Sequence, residues 1–348
     1  MLTILFMFEI MRMTVRIRKY TLLIVTILFL ISSSFIIHWL EPENFPNAFV
    51  GFWYVMTTVT TTGYGDFVPQ TIAGRIFGLF LYLVGIGLIG IVIGKIVEGF
   101  GIYRKLKEEG KLRFKGRNHY VIIGWSNKSK HTMNELLEID QQAKILVIDS
   151  LKNAPFEHER FSYIQGDPTD KHTLEKANVV EARAVLVFTR DNEANSVAAD
   201  GQSLLIVSAI ESYAVERKTE IYTIVEILKD KHISNFKHAN VDEFIVSDEA
   251  LSDMMAKAAV DKGSSKMIME LLSSRSGVDI RKVEKRDLWT TYNDAFEDLK
   301  KVGANLISDR NDFNILTKLE ERIPSDAELY VICSPESFKK IMASESIN

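Results

Sequence analysis

Hydrophobic residues are concentrated in the first third of this chain, and most charged residues follow them. Two apolar runs, Tyr20 to Leu40 and Ile76 to Gly94, contain no Asp, Glu, Lys or Arg. A helix of about 20 predominantly apolar residues crosses the hydrocarbon core of a bilayer. Each run is therefore predicted to be a membrane-spanning helix. Pro46 to Thr60, between them, is too short to span and predicts a re-entrant helix, because irregular backbone at membrane depth must line a cavity or be buried in protein.

Basic residues lie on the outer flank of each predicted span. They are Arg12, Arg16, Arg18 and Lys19 before the first span, and Arg104, Lys105, Lys107, Lys111, Arg113, Lys115 and Arg117 after the second. The positive-inside rule then predicts a multi-pass protein of the cell membrane with both termini in the cytoplasm. A secretory signal peptide is the alternative for the first run, but the run is too long and no small-residue cleavage site follows it.

From His119 the pattern changes to short apolar runs that alternate with helical stretches. The predicted strands read HYVIIG, KILVID, FSYIQG, AVLVFT, IYTIVE and EFIV. Continuous apolar strands separated by helices are typical of a parallel, doubly wound α/β sheet of the Rossmann type. A smaller α+β lobe follows, with a helix near 292–302 and strands near 304–308 and 329–333.

The predicted domains follow from these changes in pattern. They are a two-span membrane module (1–99), a basic linker (100–117), a Rossmann-like lobe (118–247), a helical segment (248–273) and a C-terminal lobe (274–348). The formal net charge of −4 gives no reason to expect a nucleic-acid partner. The single cysteine, Cys333, excludes an internal disulfide framework and fits a reducing compartment.

The loop between the spans carries the stretch Thr61, Thr62, Gly63, Tyr64 and Gly65. Backbone carbonyls replace the water around a cation when they point to one side of an extended chain. Glycine permits the positive φ that such an arrangement needs. These residues are therefore predicted to form a selectivity filter, in which Thr61 adds a hydroxyl and Tyr64 packs outward against the short helix.

This stretch resembles the potassium-channel selectivity filter, Thr-Val-Gly-Tyr-Gly-Asp, with Thr62 where the family has Val. The resemblance implies K⁺ as the permeant ion and a homotetramer around a common pore. Gly85 resembles the hinge of the inner helix in two-span calcium-gated archaeal channels. The alternative is that Gly85 is a small residue at a helix–helix contact, as is common in membrane proteins.

The second half resembles the RCK domain (regulator of potassium conductance), through the strand HYVIIGWS, Asp149 and the Gly166-Asp167 turn. Together with the filter, which makes 1–99 an ion-channel pore module, the resemblance implies gating by a ligand and paired domains with crossover helices at 248–273. The domains would form a ring below the pore, either an octameric ring or a ring of only four. Gly124, Ser126, Asp149 and Asp167 are the nucleotide-binding candidates, for ATP/ADP or NAD(H). The dinucleotide fingerprint is incomplete, because Ser126 replaces its second glycine.

Asp200 and Glu226 resemble two ligands of the Ca²⁺ site in calcium-gated members, but Leu228 occupies the position of a third. The alternative is a helix cap for Asp200 and a strand-end acid for Glu226. The sequence thus predicts a ligand-gated potassium channel and no enzyme. The rival predictions are a membrane-tethered NAD-dependent oxidoreductase, which hydride transfer would reveal, and a non-conducting regulatory subunit of a potassium transport system, which an intact filter argues against.

Overall fold

A computed structural model of the chain describes residues 19–190, 195–273 and 277–345. The chain divides into two compact units, one up to Leu106 and one from Lys107 onward. The basic residues predicted to precede the first span, Arg12, Arg16 and Arg18, lie outside the described residues.

From residue 19 on, where its description begins, the first unit contains three helices. They are α1 (Lys19–Leu40), α2 (Ala48–Val59) and α3 (Ile72–Glu108). Within the described residues, α1 and α3 are the helices long and apolar enough to cross a membrane. Most of their side chains are exposed in the single chain, as expected of surfaces that face lipid or another subunit. The short α2 is the predicted re-entrant helix, and it begins after Asn47, whose side chain accepts from the Val50 amide, rather than at Pro46.

A small apolar core holds these helices together. It consists of Ile37, Phe45, Tyr54, Val55, Val59 and Leu81. The backbones of α1 and α2 lie so close that a Cβ on Gly51 would be 2.5 Å from the carbonyl oxygen of Ser34. α3 continues past the predicted end of the second span to Glu108, so the first half of the predicted linker is helical. Its Lys, Arg and Glu residues are good helix formers.

The second unit begins with the predicted Rossmann-like sheet. Its elements are β1 (His119–Ile123), α4 (Asn127–Ile139), β2 (Ile145–Asp149), β3 (Phe161–Gln165), α5 (Lys171–Lys176), β4 (Ala182–Val187), α6 (Ser196–Arg217), β5 (Thr223–Ile227) and β6 (Glu243–Val246). The strands are all parallel and lie in the order β3-β2-β1-β4-β5-β6. The predicted fold class and all six predicted strands are confirmed. Strand order reverses between β1 and β4, where ligands bind in folds of this class.

Helix boundaries were harder to predict. α6 begins at Ser196 with Asn195 as its cap, so Asp200 lies inside the helix rather than at its start. The stretch Asp230–Phe236 is a 3-10 helix. The segment predicted to be helical, 248–273, contains α7 (Ser247–Val260) and α8 (Ser264–Leu272), and neither has a buried residue in the single chain.

The C-terminal lobe contains a three-stranded antiparallel sheet in the order β7-β9-β8. Its elements are β7 (Asp279–Val283), α9 (Tyr292–Lys301), β8 (Ala304–Asp309), β9 (Leu329–Cys333) and α10 (Pro335–Glu345). Strand β7 was missed, because its sequence DIRKV is mostly charged and only Val283 is buried. Trp289 and Cys333 are buried in the core of this lobe.

Candidate functional site

The predicted filter loop follows directly from the end of α2. Gly63 and Gly65 have positive φ, 56° and 76°, as their proposed role requires, and Thr61 also has a positive φ of 61°. The amides of Thr62 and Gly63 both donate to the carbonyl oxygen of Thr57, at 2.8 and 3.0 Å. The loop is thus turned back onto the last turn of the helix. Left-handed backbone at Thr61 was not predicted, because a β-branched residue rarely adopts it.

Tyr64 packs against α2, the side expected from the sequence. Its ring stacks on Trp53 with centroids 5.8 Å apart and 4° between the planes. The indole Nε1 of Trp53 also donates to Asp66 Oδ2 at 2.7 Å. One side chain of the helix therefore holds both ends of the Tyr64–Asp66 segment. The Thr62 hydroxyl lies 3.1 Å from the Thr60 hydroxyl, a contact that valine would lack.

The outgoing arm of the loop is held by Glu41, which sequence reasoning did not single out. Its carboxylate accepts from the amides of Gln70 and Thr71, from the Thr71 hydroxyl and from Asn44, at 2.6 to 2.9 Å. Burial alone would raise the pKa of Glu41, but these hydrogen bonds lower it to about 2. A Cβ on Gly74 would lie 1.9 Å from Oε1 of the same carboxylate. The end of α1 is thus bound to the start of α3.

Gly85, the predicted hinge, lies against the end of α2. A Cβ at Gly85 would be 2.5 Å from Cγ2 of Val59, whereas a Cβ at Gly87, Gly90 or Gly94 would meet nothing within 4 Å. Helix α3 is continuous through all four glycines. Close packing therefore gives Gly85 a structural role, and its role as a hinge stays a prediction.

A cavity of about 200 Å³ lies at the carboxyl ends of the parallel strands in the second unit. It brings together three of the four nucleotide candidates, Gly124, Asp149 and Asp167. Gly124 has a φ of 87°, and a Cβ there would be 2.6 Å from the carbonyl oxygen of Phe188 at the end of β4. The first glycine of the fingerprint is therefore required by the tight β1 turn.

The two acids in the cavity are both anchored by local donors. Asp149, which is 6% exposed, accepts from the amides of Trp125 at 2.7 Å and Leu151 at 3.2 Å. Asp167 accepts from the hydroxyl and the amide of Thr169, and these hydrogen bonds lower the pKa of Asp167. Both carboxylates keep further lone pairs for a ligand.

Ser126, the fourth candidate, is the N-cap of α4. Its Oγ accepts from the Ser129 amide, and the Ser129 Oγ accepts from the Ser126 amide, which forms a capping box. Ser126 does not line the cavity. The hydroxyls of Ser126 and Ser129 thus accept from backbone amides at the N-terminus of α4. In a dinucleotide-binding protein, amides at this position bind the pyrophosphate.

Glu226 lies at the end of β5 in a dense network. Its carboxylate accepts from Lys128 Nζ at 2.5 Å and from the amide and hydroxyl of Thr189 at 3.0 and 2.7 Å. Lys128 Nζ also donates to the Thr189 hydroxyl at 3.0 Å. Burial alone would raise the pKa of Glu226, but its hydrogen bonds with Lys128 and Thr189 lower it overall.

Asp200, the second calcium candidate, is bound elsewhere. It accepts from the amides of Leu228 and Lys229 at 2.8 and 3.3 Å and pairs with His232 Nδ1 at 2.5 Å. Among the described residues, no three His, Cys, Asp or Glu side chains are grouped so that they would hold a metal ion. The calcium site stays a prediction that this geometry does not favour, because both carboxylates already face N–H donors.

The segment Glu108 to Gly110 is hydrogen-bonded to the sheet next to the cavity. The Ala154 amide donates to Glu108 O at 2.7 Å, and the Gln165 amide donates to Gly110 O at 3.1 Å. Gly110 has a φ of 62° and packs on the Tyr163 ring. The Tyr163 hydroxyl in turn donates to Asp149 O at 2.9 Å. The strand ends that line the cavity and this segment are therefore parts of one contact network.

Two family models match the chain. An ion channel model matches residues 25–100, and a TrkA-N domain model matches residues 120–247. These matches confirm the resemblance for residues 25–100 and 120–247.

Similar proteins are known from bacteria and archaea. YugO of Bacillus subtilis, described as a candidate potassium channel protein, is 32% identical over 221 residues, which are 63% of this chain and 66% of that protein. The chain thus matches just under two thirds of YugO. The calcium-gated potassium channel TvoK of Thermoplasma volcanium is 25% identical over 260 residues, which are 74% of this chain and 73% of that protein. Among solved structures, a GsuK channel is 15% identical and covers 91% of this chain and 57% of its own, with a TM-score of 0.47.

Proposed function

We propose that this chain, which belongs to the prokaryotic ion channels whose two-span pore precedes a TrkA-N domain, is a potassium-selective channel gated by a nucleotide. The filter loop carries the proposal. Positive φ at Gly63 and Gly65 and the packing of Tyr64 on Trp53 support a chain held for coordination through its backbone. K⁺ is the permeant ion, and the electrochemical gradient drives its flow.

The cavity supports a nucleotide as the gating ligand. Asp149 ends β2, where an acid in this fold class binds ribose hydroxyls, and Asp167 ends the next strand within the same cavity. A ligand that moves these strand ends also moves the segment Glu108 to Gly110, since both belong to one hydrogen-bond network. That segment begins with the last residue of α3, the proposed pore-lining helix.

The proposed assembly is a homotetramer around a common pore, because one chain supplies one filter loop. Paired RCK domains in a ring of eight, and crossover helices within 248–273, complete it. The exposed apolar side chains Leu251, Met255 and Val260 on α7 support such pairing. We place the protein in the cell membrane with both termini in the cytoplasm, on the distribution of basic residues.

Potassium flux from liposomes tests the filter. Purified protein is reconstituted, and K⁺ and Na⁺ flux are compared with protein-free vesicles. Gly63→Ala and Gly65→Ala are expected to abolish K⁺ flux, because alanine disfavours the positive φ at both positions. Gly87→Ala is the matched control, since a Cβ there meets nothing within 4 Å in the single chain. Undiminished K⁺ flux in both filter variants would refute the assignment.

The same vesicles test the gating ligand. Flux is measured against ADP, ATP, NAD⁺, NADH and Ca²⁺, and Asp149→Ala is expected to weaken the nucleotide response. A response to Ca²⁺ alone, unchanged by Asp149→Ala, would contradict nucleotide gating. Hydride transfer from NADH to an acceptor by the purified protein would instead favour the oxidoreductase alternative.

A further inference from the structure

We propose that the cavity admits one nucleotide, a nucleoside mono- or diphosphate, and that the Lys128–Glu226 ion pair excludes the second nucleotide of NAD(H). This inference rests on the proposed nucleotide site and specifies its ligand class. The ion pair, called here the crossbar, consists of Lys128 at the start of α4 and Glu226 at the end of β5.

The position of the cavity in the sheet is the first argument for a single nucleotide. In a sheet of order β3-β2-β1-β4-β5-β6, a dinucleotide extends across the point between β1 and β4, with its second half beyond β4. The cavity is lined from β1, β2 and β3, from the turn after β4 and from one face of α6. Within the described residues, none of its lining residues belongs to β5. The cavity therefore has space on the β1–β3 side for one nucleotide. The space beyond β4, which the second nucleotide of NAD(H) would need, is not part of this cavity.

The crossbar adjoins the cavity through Thr189. Lys128 reaches from α4 past the end of β4, where it contacts Thr189, to Glu226 on β5. Thr189 lines the cavity and binds Glu226 through both its amide and its hydroxyl. The path that the second half of a dinucleotide would follow is therefore crossed by a hydrogen-bonded ion pair.

Opening the crossbar is costly because Glu226 is buried. Its side chain is 5% exposed, and Lys128 is its cationic partner in the network. Removing the partner of a buried charge leaves that charge uncompensated, which is strongly unfavourable. A dinucleotide would have to replace Lys128 as the partner of Glu226. The phosphates and NADH offer no cation, and the pyridinium of NAD⁺ is a delocalised ring cation without the N–H donors of the Lys128 ammonium.

The remaining features of the cavity fit a single nucleotide with a short phosphate chain. Asp149 and Asp167 provide acceptors for ribose hydroxyls and an exocyclic amine. Arg190 also lines the cavity, and its guanidinium donates to Ser150 Oγ at 3.2 Å, which places a cation within the site for phosphate.

Direct binding measurements test the inference on the full-length protein in detergent or nanodiscs. Isothermal titration with ADP, AMP, NAD⁺ and NADH is expected to show ADP binding about tenfold or more tighter than either dinucleotide. The double variant Lys128→Ala/Glu226→Gln removes the crossbar and retains an amide oxygen that accepts from Thr189. It is expected to bind NAD⁺ about tenfold tighter than the wild type while its affinity for ADP changes by less than about threefold.

The double variant Lys171→Ala/Glu216→Gln is the matched control. It removes an ion pair of the same chemistry, with Nζ and Oε1 also 2.5 Å apart, that is half-exposed and does not line the cavity. It is expected to change neither affinity. Thermal unfolding of both double variants establishes that they are folded at the temperature of the titration.

The outcomes separate this inference from the proposed function. Wild-type protein that binds NAD⁺ as tightly as ADP would overturn the crossbar and leave nucleotide gating intact. A crossbar variant that is folded and gains no NAD⁺ affinity would also overturn it. Absence of binding by all four nucleotides would overturn both the ligand class proposed here and nucleotide gating, while K⁺ flux would still support the channel.

Discussion

Replacing Gly85 with alanine tests whether this residue is a packing contact or a hinge. The added methyl would lie 2.5 Å from Cγ2 and 3.2 Å from Cγ1 of Val59. Carbon atoms in van der Waals contact lie about 3.5–4.0 Å apart, so the helices must separate locally by roughly 1 Å or Val59 must move. Val59 is buried and is the last residue of α2, directly before the filter loop.

The magnitude follows from two opposing contributions. Overpacking of this kind costs about 1–3 kcal/mol. Alanine in place of glycine inside a helix stabilises by about 1 kcal/mol. Gly87→Ala shares the second contribution without the first, because its Cβ meets nothing within 4 Å. Gly85→Ala is therefore expected to be less stable than Gly87→Ala by about 1–3 kcal/mol.

Thermal unfolding in detergent and K⁺ flux from liposomes measure the effect. Combining Gly85→Ala with Val59→Ala removes both clashing methyl groups, so we expect a coupling of about 0.5–3 kcal/mol between the two positions and recovery of flux. Equal stability of the Gly85 and Gly87 variants would refute the packing argument. If flux is lost in Gly85→Ala and Val59→Ala does not restore it, Gly85 acts as a hinge instead.

Three further predictions concern residues outside the filter. Glu41→Gln is expected to lower the free energy of unfolding by about 2–3 kcal/mol, because an amide has only one acceptor oxygen for the donors of Gln70 and Thr71. Thermal unfolding measures the loss, and the exposed Glu43 provides the control variant Glu43→Gln. Burial lowers the pKa of His119 to about 4. The free energy of unfolding is therefore expected to fall by up to about 3 kcal/mol as the pH decreases from about 6.5 to 4. Unfolding followed by circular dichroism should show a smaller pH dependence in His119→Gln. Gly110→Ala would place a Cβ 2.4 Å from the Gln165 amide and so disturb this contact. The variant is expected to bind ADP within about threefold of the wild-type affinity but to lose the effect of ADP on K⁺ flux. An undiminished effect of ADP would show that this contact does not transmit gating.

Features that depend on local pattern were predictable from the chain alone. The two spans, the short helix between them and the six parallel strands each produce a run of side chains whose length and periodicity identify it. Positive φ at Gly63 and Gly65 follows from residue type and neighbours. Strand β7 was missed because its pattern is mostly charged and its partner, β9, lies far along the chain.

Contacts between distant residues set the roles of individual polar groups. Asp200 and Glu226 have the residue types of a calcium site, but the fold gives each of them N–H donors, from His232 in one case and from Lys128, 98 positions away, in the other. Glu41 likewise binds amides that lie 29 and 30 positions later. A carboxylate is a ligand, a cap or a buried ion-pair partner according to what surrounds it. Hydrophobic periodicity is a property of consecutive residues, whereas hydrogen-bond partners and desolvation arise only when separate elements pack together.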